Sequence, residues 1–235
     1  MVAGSVSAGR LKSVSRLLAA VLLAAGCVTA QAAVVYDVAD DFSTINNPNG
    51  PWQYGYENSL GSTFNRYLYN TTFSPTIKGW RATQFSDSAP NLFHNPSASP
   101  ASAYDFTLQP NQAAFHPGPT GQFSIYRWIS PSAGAFSINA DWIDLGIISQ
   151  TDVHVLLNGV SLFNGNVYGN TISFSTTRVL VAGDIIDFAV GRGNDGNSSD
   201  TTGINATITR VPEPATLALL TLGLAGLAAS RRHRQ

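Results

Sequence analysis

The chain reads as all-β: an antiparallel β-sandwich or jelly roll over residues 33–210, with an apolar segment on either side. Three observations carry that reading. Period-two alternation recurs along the body, turn residues interrupt it at short intervals, and no segment of the body sustains a helical period. Many short strands separated by such turns make a sandwich or a barrel rather than a helix-covered sheet.

The alternation is clearest where Phe136, Ile138, Ala140 and Trp142 interleave with Ser137, Asn139 and Asp141, and where Ile204, Ala206 and Ile208 interleave with Asn205, Thr207 and Thr209. Each pattern has one buried and one wet face. The runs 153–157 and 160–163 meet at Asn158-Gly159, the pair that a type I′ hairpin turn requires at its two positive-φ positions. Gly183-Asp184 introduces a further strand over 185–190, and residues 34–40, 52–56, 77–84 and 123–129 read as strands as well. Residues 86–103 hold three prolines and five serines and read as a surface loop, with a ligand loop as the alternative. No repeat of solenoid period is present.

The body has the size of one domain and can bury a core without staples. It carries 13 Asp and Glu against 7 Lys and Arg, a net charge of −6 before His. The near-neutral total of the whole chain hides this, because the flanking segments carry six of the thirteen basic residues. An acidic, sparsely charged exterior argues against nucleic acid as a partner, which needs a basic footprint. It suits a solvated, sugar-rich surrounding or cation binding.

Both ends read as targeting segments. Arg10, Lys12 and Arg16 precede the apolar run 17–25, and Ala30-Gln31-Ala32 offers a small-residue cleavage site, the layout of a secretory signal peptide over 1–32. Leu23-Ala24-Ala25-Gly26-Cys27 nearly forms a lipoprotein box, but its Leu stands one position too far from Cys27. Cleavage after Ala32 leaves a mature chain without cysteine, which removes disulfides, thiolate nucleophiles and Cys-ligated metals. At the other end Pro212 and Pro214 fix their own φ and push the preceding residues to extended backbone. Residues 215–230 then run without a charge into Arg231-Arg232-His233-Arg234. These 16 residues span roughly 24 Å as a helix, slightly short of a ~30 Å hydrocarbon core. The basic cluster stays cytoplasmic under the positive-inside bias.

The order Pro212-Glu213-Pro214, apolar helix, then the basic stop of Arg231, Arg232 and Arg234 resembles the PEP-CTERM sorting signal of Gram-negative bacteria. The resemblance implies a single transmembrane sorting helix and an exported protein handled by the general secretion machinery and by an exosortase. It implies an inner-membrane intermediate, then release to the cell surface or extracellular matrix. A plain C-terminal membrane anchor is the alternative.

The search for catalytic chemistry yields little. His94, His116 and His154 have no metal-ligand spacing. His154 shares a strand face with Asp152, a base and an orienting group, but no Cys and no Ser in a strained Gly-x-Ser-x-Gly turn supplies a nucleophile. Glu57 is the only glutamate of the body, and Asp41, Asp141, Asp144 and Asp187 are scattered, so a glycosidase pair is not legible from spacing.

Two clusters have binding chemistry. Residues 191–203 concentrate Asn194, Asp195, Asn197 and Asp200 as oxygen donors among glycines, the ligand type Ca²⁺ takes. Their spacing does not match an EF-hand, and Asn, Asp and Gly are equally the residues of a solvated turn, which the sequence favours. Apart from this loop no cofactor is indicated. Trp52, Tyr54 and Tyr56 share one face of a strand, either as a platform for sugar rings or as sandwich core, and the core reading is the stronger.

Residues 41–43, 47–55, 151–159 and 182–188 resemble a β-sandwich module of secreted bacterial proteins that often bear this same tail. That module is similar to carbohydrate-binding jelly rolls in fold, and its motifs describe turns and strands without a catalytic signature. The sequence thus points to a non-enzymatic, exopolysaccharide-associated surface protein with weak glycan binding. A secreted polysaccharide hydrolase or lyase is the alternative.

Overall fold

A computed structural model describes residues 33–84, 90–147, 150–212 and Gly223. The segment 1–32, and with it Cys27, lies outside the described residues, as do Glu213, Pro214, Arg231, Arg232 and Arg234 and all of the expected sorting helix except Gly223. Val34–Val211 form one compact unit. Among the described residues no helix is long and apolar enough to cross a membrane.

The described strands are, in chain order, β1 (Val35–Asp37), β2 (Trp52–Glu57), β3 (Asn65–Arg66), β4 (Tyr69–Thr72), β5 (Lys78–Arg81) and β6 (Asn91–His94). Then come β7 (Ala101–Ala103), β8 (Phe106–Leu108), β9 (Ala113–His116), β10 (Phe123–Ile129) and β11 (Gly134–Asp144). The chain finishes with β12 (Thr151–Leu157), β13 (Val160–Val167), β14 (Thr171–Leu180), β15 (Ile185–Gly191) and β16 (Thr202–Arg210). They build an eight-stranded sheet ordered β14-β11-β16-β9-β6-β5-β4 with β1 against β16, and a six-stranded sheet ordered β13-β12-β15-β10-β2-β3. β7 and β8 form a separate hairpin. Every pairing is antiparallel, so the expected all-β sandwich is the fold.

The alternation read in the sequence sets the core. Ile138, Ala140 and Trp142 of β11 stand opposite Ile208, Ala206 and Ile204 of β16, all buried. From the six-stranded sheet Trp52, Tyr54, Tyr126, Trp128, Val155 and Phe188 fill the same core. Rings meet edge to face, with Phe115 and Tyr126 4.8 Å apart and Trp128 and Phe136 5.3 Å apart, the geometry that aromatic quadrupoles prefer.

The quoted module motifs fasten this sandwich. Asp41 accepts the Trp52 indole N–H at 3.1 Å, Tyr54 Oη donates to the Asp41 carbonyl, and Trp80 Nε1 donates to the Ser43 carbonyl at 2.6 Å. The Asn47 side chain replaces a missing strand neighbour: its amide donates to the Tyr54 and Tyr67 carbonyls and its oxygen accepts the Tyr54 N–H. Farther along, Asn158 and Gly159 hold φ of 51° and 78°, the expected I′ turn. The Asn158 amide donates to Asp184, and the Ile185 N–H donates to Asn158, which joins the two later motifs.

The segment 86–103 departs from expectation. It is not a surface loop: β6 lies inside it with all four residues buried, and β7 follows. Leu92 faces the sandwich core, whereas Phe93 faces a second cluster formed by Ile77, Ala101, Ala103, Phe106, Leu108 and Ala114. The β7–β8 hairpin therefore covers the outer face of β6 and β9. A strand buried on both faces loses the alternation by which it would be recognised.

Candidate functional site

The strand register brings four connections to one end of the sandwich. Asp144 pairs with Thr202, Thr151 with Val167, Ile143 with Thr171, and Asp152 with Gly191. The β11–β12, β13–β14 and β15–β16 loops thus emerge together, and Arg192 Nη1 ties the last of them to the β9–β10 connection through the Pro119 carbonyl at 2.6 Å.

A shallow, open cavity of about 670 Å³ lies there, lined by Ile143, Asp144, Gly146, Tyr168, Gly169, Asn170 and Thr171. Tyr168 is 54% exposed at its rim. Asp144 shapes it, accepting the Gly146 N–H at 3.1 Å and the Gly169 N–H at 2.6 Å, while Asn170 Oδ1 accepts the Tyr168 N–H. Tyr168 is not among the residues that the strand pattern singles out. Its signal was present: a large aromatic in the short turn Tyr168-Gly169-Asn170 between two strands, where packing has no use for one.

The aromatic row proposed for sugar stacking is not on this surface. Trp52 and Tyr54 are 1% exposed and point into the core, and Tyr56, half-buried, stacks on Tyr67 at 5.7 Å. The alternation that gave them a common face gave them the inner one.

In the β15–β16 loop Asn194 and Asp195 are exposed, Asn197 is half-buried and Asp200 is fully buried. Burial, and then the negative charges of Asp195, Asp144 and Asp152, push the Asp200 carboxyl up to about 7 against an opposing Arg192. Among the described residues no three His, Cys, Asp or Glu side chains converge as a ready metal cage.

His154 does meet Asp152, at 2.9 Å from Nε2 to Oδ2, and its Nδ1 lies 2.7 Å from Asn164 Oδ1. Burial works against ionisation of Asp152, but the hydrogen bonds from His154 and from the Gly193 N–H outweigh it and hold the carboxyl below its usual range. Both ring nitrogens of His154 are thereby engaged with an amide and a carboxylate rather than a hydroxyl. His94 is buried and His116 half-buried, and desolvation lowers both imidazoles. Glu57 and Asp187, 2% exposed at their side chains, flank Arg127 at 3.1 and 2.7 Å. Arg127 in turn lies 4.0 Å from the Phe64 ring centroid. This is a closed structural cluster rather than an acid–base pair across a cleft.

No curated protein matches the chain in sequence. Among solved structures, the chain is similar to a family 35 carbohydrate-binding module from Clostridium thermocellum, at 10% identity and a TM-score of 0.32, covering 76% of this chain and 98% of that one. It is similar to the CBM51 module of a Clostridium perfringens protein in complex with methyl-galactose, at 11% identity and a TM-score of 0.35, covering 65% and 99%. Rabbit GITRL matches at 11% identity and a TM-score of 0.27, covering 51% and 82%. None of these carries a ligand over to this chain. Residues 210–232 match the PEP-CTERM protein-sorting motif, which implies export and membrane-anchored processing by an exosortase. The chain is an antiparallel β-sandwich that carries a PEP-CTERM sorting motif beginning at Arg210, the residue that closes its last described strand.

Proposed function

We propose that this protein is a non-enzymatic component of the cell surface or extracellular matrix of a Gram-negative bacterium. In this reading the signal peptide over 1–32 exports it, an exosortase releases it from the inner membrane, and the sandwich over 33–210 holds exopolysaccharide weakly. The observation that carries the reading is the sorting motif beginning at Arg210, the residue that closes β16. The domain is thus delivered whole to a polysaccharide-rich surrounding.

The cavity beside Tyr168 supports the glycan contact. An exposed ring offers a sugar its apolar face, and Asp144 and Asn170 stand beside it as polar groups that fix orientation, the mix typical of small-ligand sites. Among the described cavity residues Asp144 is the only carboxylate, and it already holds two backbone N–H groups. Affinity electrophoresis of the mature chain through gels containing the host exopolysaccharide tests this. Tyr168→Ala is expected to weaken retardation about tenfold, equivalent to ~1.4 kcal/mol. Equal retardation of parent and variant removes the cavity from the account, and shortening of the polysaccharide replaces binding with hydrolysis.

A further inference from the structure

Asp200 begins where the β15–β16 loop turns into β16, and sandwich packing leaves it without a partner. It is fully buried, at 0% relative exposure, and among the described residues neither carboxylate oxygen has a hydrogen-bond partner. Charges at such depth are kept when they are paired, hydrogen-bonded or coordinated to a metal. The surrounding side chains do not supply the pairing. The charges that act on it are those of Asp195, Asp144 and Asp152, opposed by Arg192, whose Nη1 donates to the Pro119 carbonyl. Asp144 is committed to Gly146 and Gly169, and Asp152 to His154 and Gly193. Asp195 remains, exposed on the same loop.

We propose that residues 192–201 bind one Ca²⁺ ion, with Asp200 as its inner ligand and Asp195 as its second carboxylate. The amide oxygens of Asn194 and Asn197, loop carbonyls and water complete the shell. Two carboxylates balance the divalent charge, and the remaining donors are the neutral oxygens that Ca²⁺ accepts in a flexible shell of six to eight ligands. The absence of a three-residue His, Cys, Asp or Glu cage among the described residues turns the site away from Zn²⁺, which takes its protein ligands from such side chains. The loop backbone is tightly turned. Gly193 and Gly196 hold φ of +59° and +108°, and a Cβ at Gly193 would lie 2.1 Å from the Gln150 carbonyl oxygen, so the loop is pressed against residue 150. This proposal uses none of the aromatic cavity and stands or falls apart from glycan binding.

The full chain, purified in detergent and stripped with chelator, is titrated with CaCl₂ and followed by calorimetry and by thermal melting. One Ca²⁺ per chain is expected, with a melting temperature that climbs as Ca²⁺ is added. At a hundredfold excess over the dissociation constant, the folding equilibrium constant rises about a hundredfold. Asp200→Asn should abolish both responses, and MgCl₂ should not replace CaCl₂. No binding by the parent up to about 10 mM, beyond the weakest class of extracellular calcium site, overturns the proposal, as does unchanged binding by Asp200→Asn. Should Asp200→Asn fail to fold, Asp195→Asn, exposed and outside the core, decides: weaker binding supports the site, and unchanged affinity overturns it.

Discussion

Arg127 and Asp200 show two opposite ways in which this fold treats a buried charge. Arg127 sits mid-strand on the outer face of the six-stranded sheet, directly across from Asp187, and donates to it through Nε and Nη2 at 2.7 Å while Nη2 also reaches Glu57. Glu57 accepts the Gly61 N–H at 2.7 Å, so the turn after β2 is fastened to the same cluster. Desolvation raises the carboxyls of both Glu57 and Asp187, and the Arg127 charge opposes it. Arg127→Met keeps the bulk but strands two buried carboxylates. It should destabilise the protein by roughly 3–5 kcal/mol in denaturant unfolding, with most of the loss recovered when Glu57→Gln and Asp187→Leu are added. A loss below about 1 kcal/mol for Arg127→Met would mean that the cluster relaxes into solvent. Asp200, by contrast, has no cation committed to it, and for that reason it becomes a candidate site. The sequence could not separate these cases. It placed oxygen donors at 194–200 and a lone glutamate at 57, but burial decides which carboxylate is satisfied, and burial comes from strands remote in the chain.

At the level of elements, the β12–β13 hairpin was the most legible. Two apolar runs flank Asn158-Gly159, and both turn residues adopt the positive φ that the pair predicts. Gly159→Val forces a β-branched residue to φ +78°, although nothing lies within 4 Å of the new Cβ, so the penalty is conformational and not steric crowding by neighbours. It should cost roughly 1–3 kcal/mol and lower the melting temperature by several degrees; a melting temperature within a degree of the parent contradicts a type I′ turn there. β11 and β16 were legible for a related reason, since each buries one regular face, whereas β15, buried on both faces, was legible as an apolar run introduced by Gly183-Asp184. β6 and β9 were not. Covered by the core on one side and by the β7–β8 hairpin on the other, Asn91-Leu92-Phe93-His94 and Ala113-Ala114-Phe115-His116 show no period, and prolines near β6 mimic a loop. β14 was hidden for the reverse reason. An edge strand, it turns Ile172, Phe174 and Leu180 toward the core, and the stretch between them, Thr176-Thr177-Arg178, is polar on both faces. The site suffered similarly: Tyr168 lies in a turn, where periodicity has nothing to say.

The molecule as a whole separates its address from its body. The body over 33–210 carries a net −6, and the basic residues of the segments 1–32 and 211–235 offset it in the full chain, so the body alone is more acidic than the whole chain. At the junction β16 closes at Arg210, the Val211 N–H still donates to the Ala135 carbonyl at 2.8 Å, and Pro212 follows without regular structure. The matched sorting motif thus begins on the last residue of β16 and overlaps the final sandwich hydrogen bond. By their fixed φ, Pro212 and Pro214 disfavour helix in the residues that precede them. The decisive measurement is the fate of the full chain in its host when both prolines are replaced, Pro212→Ala with Pro214→Ala, followed by fractionation of membrane and released surface material. The variant should accumulate unprocessed in the membrane fraction while the parent is released; equal release of variant and parent would contradict sorting through the Pro-Glu-Pro motif.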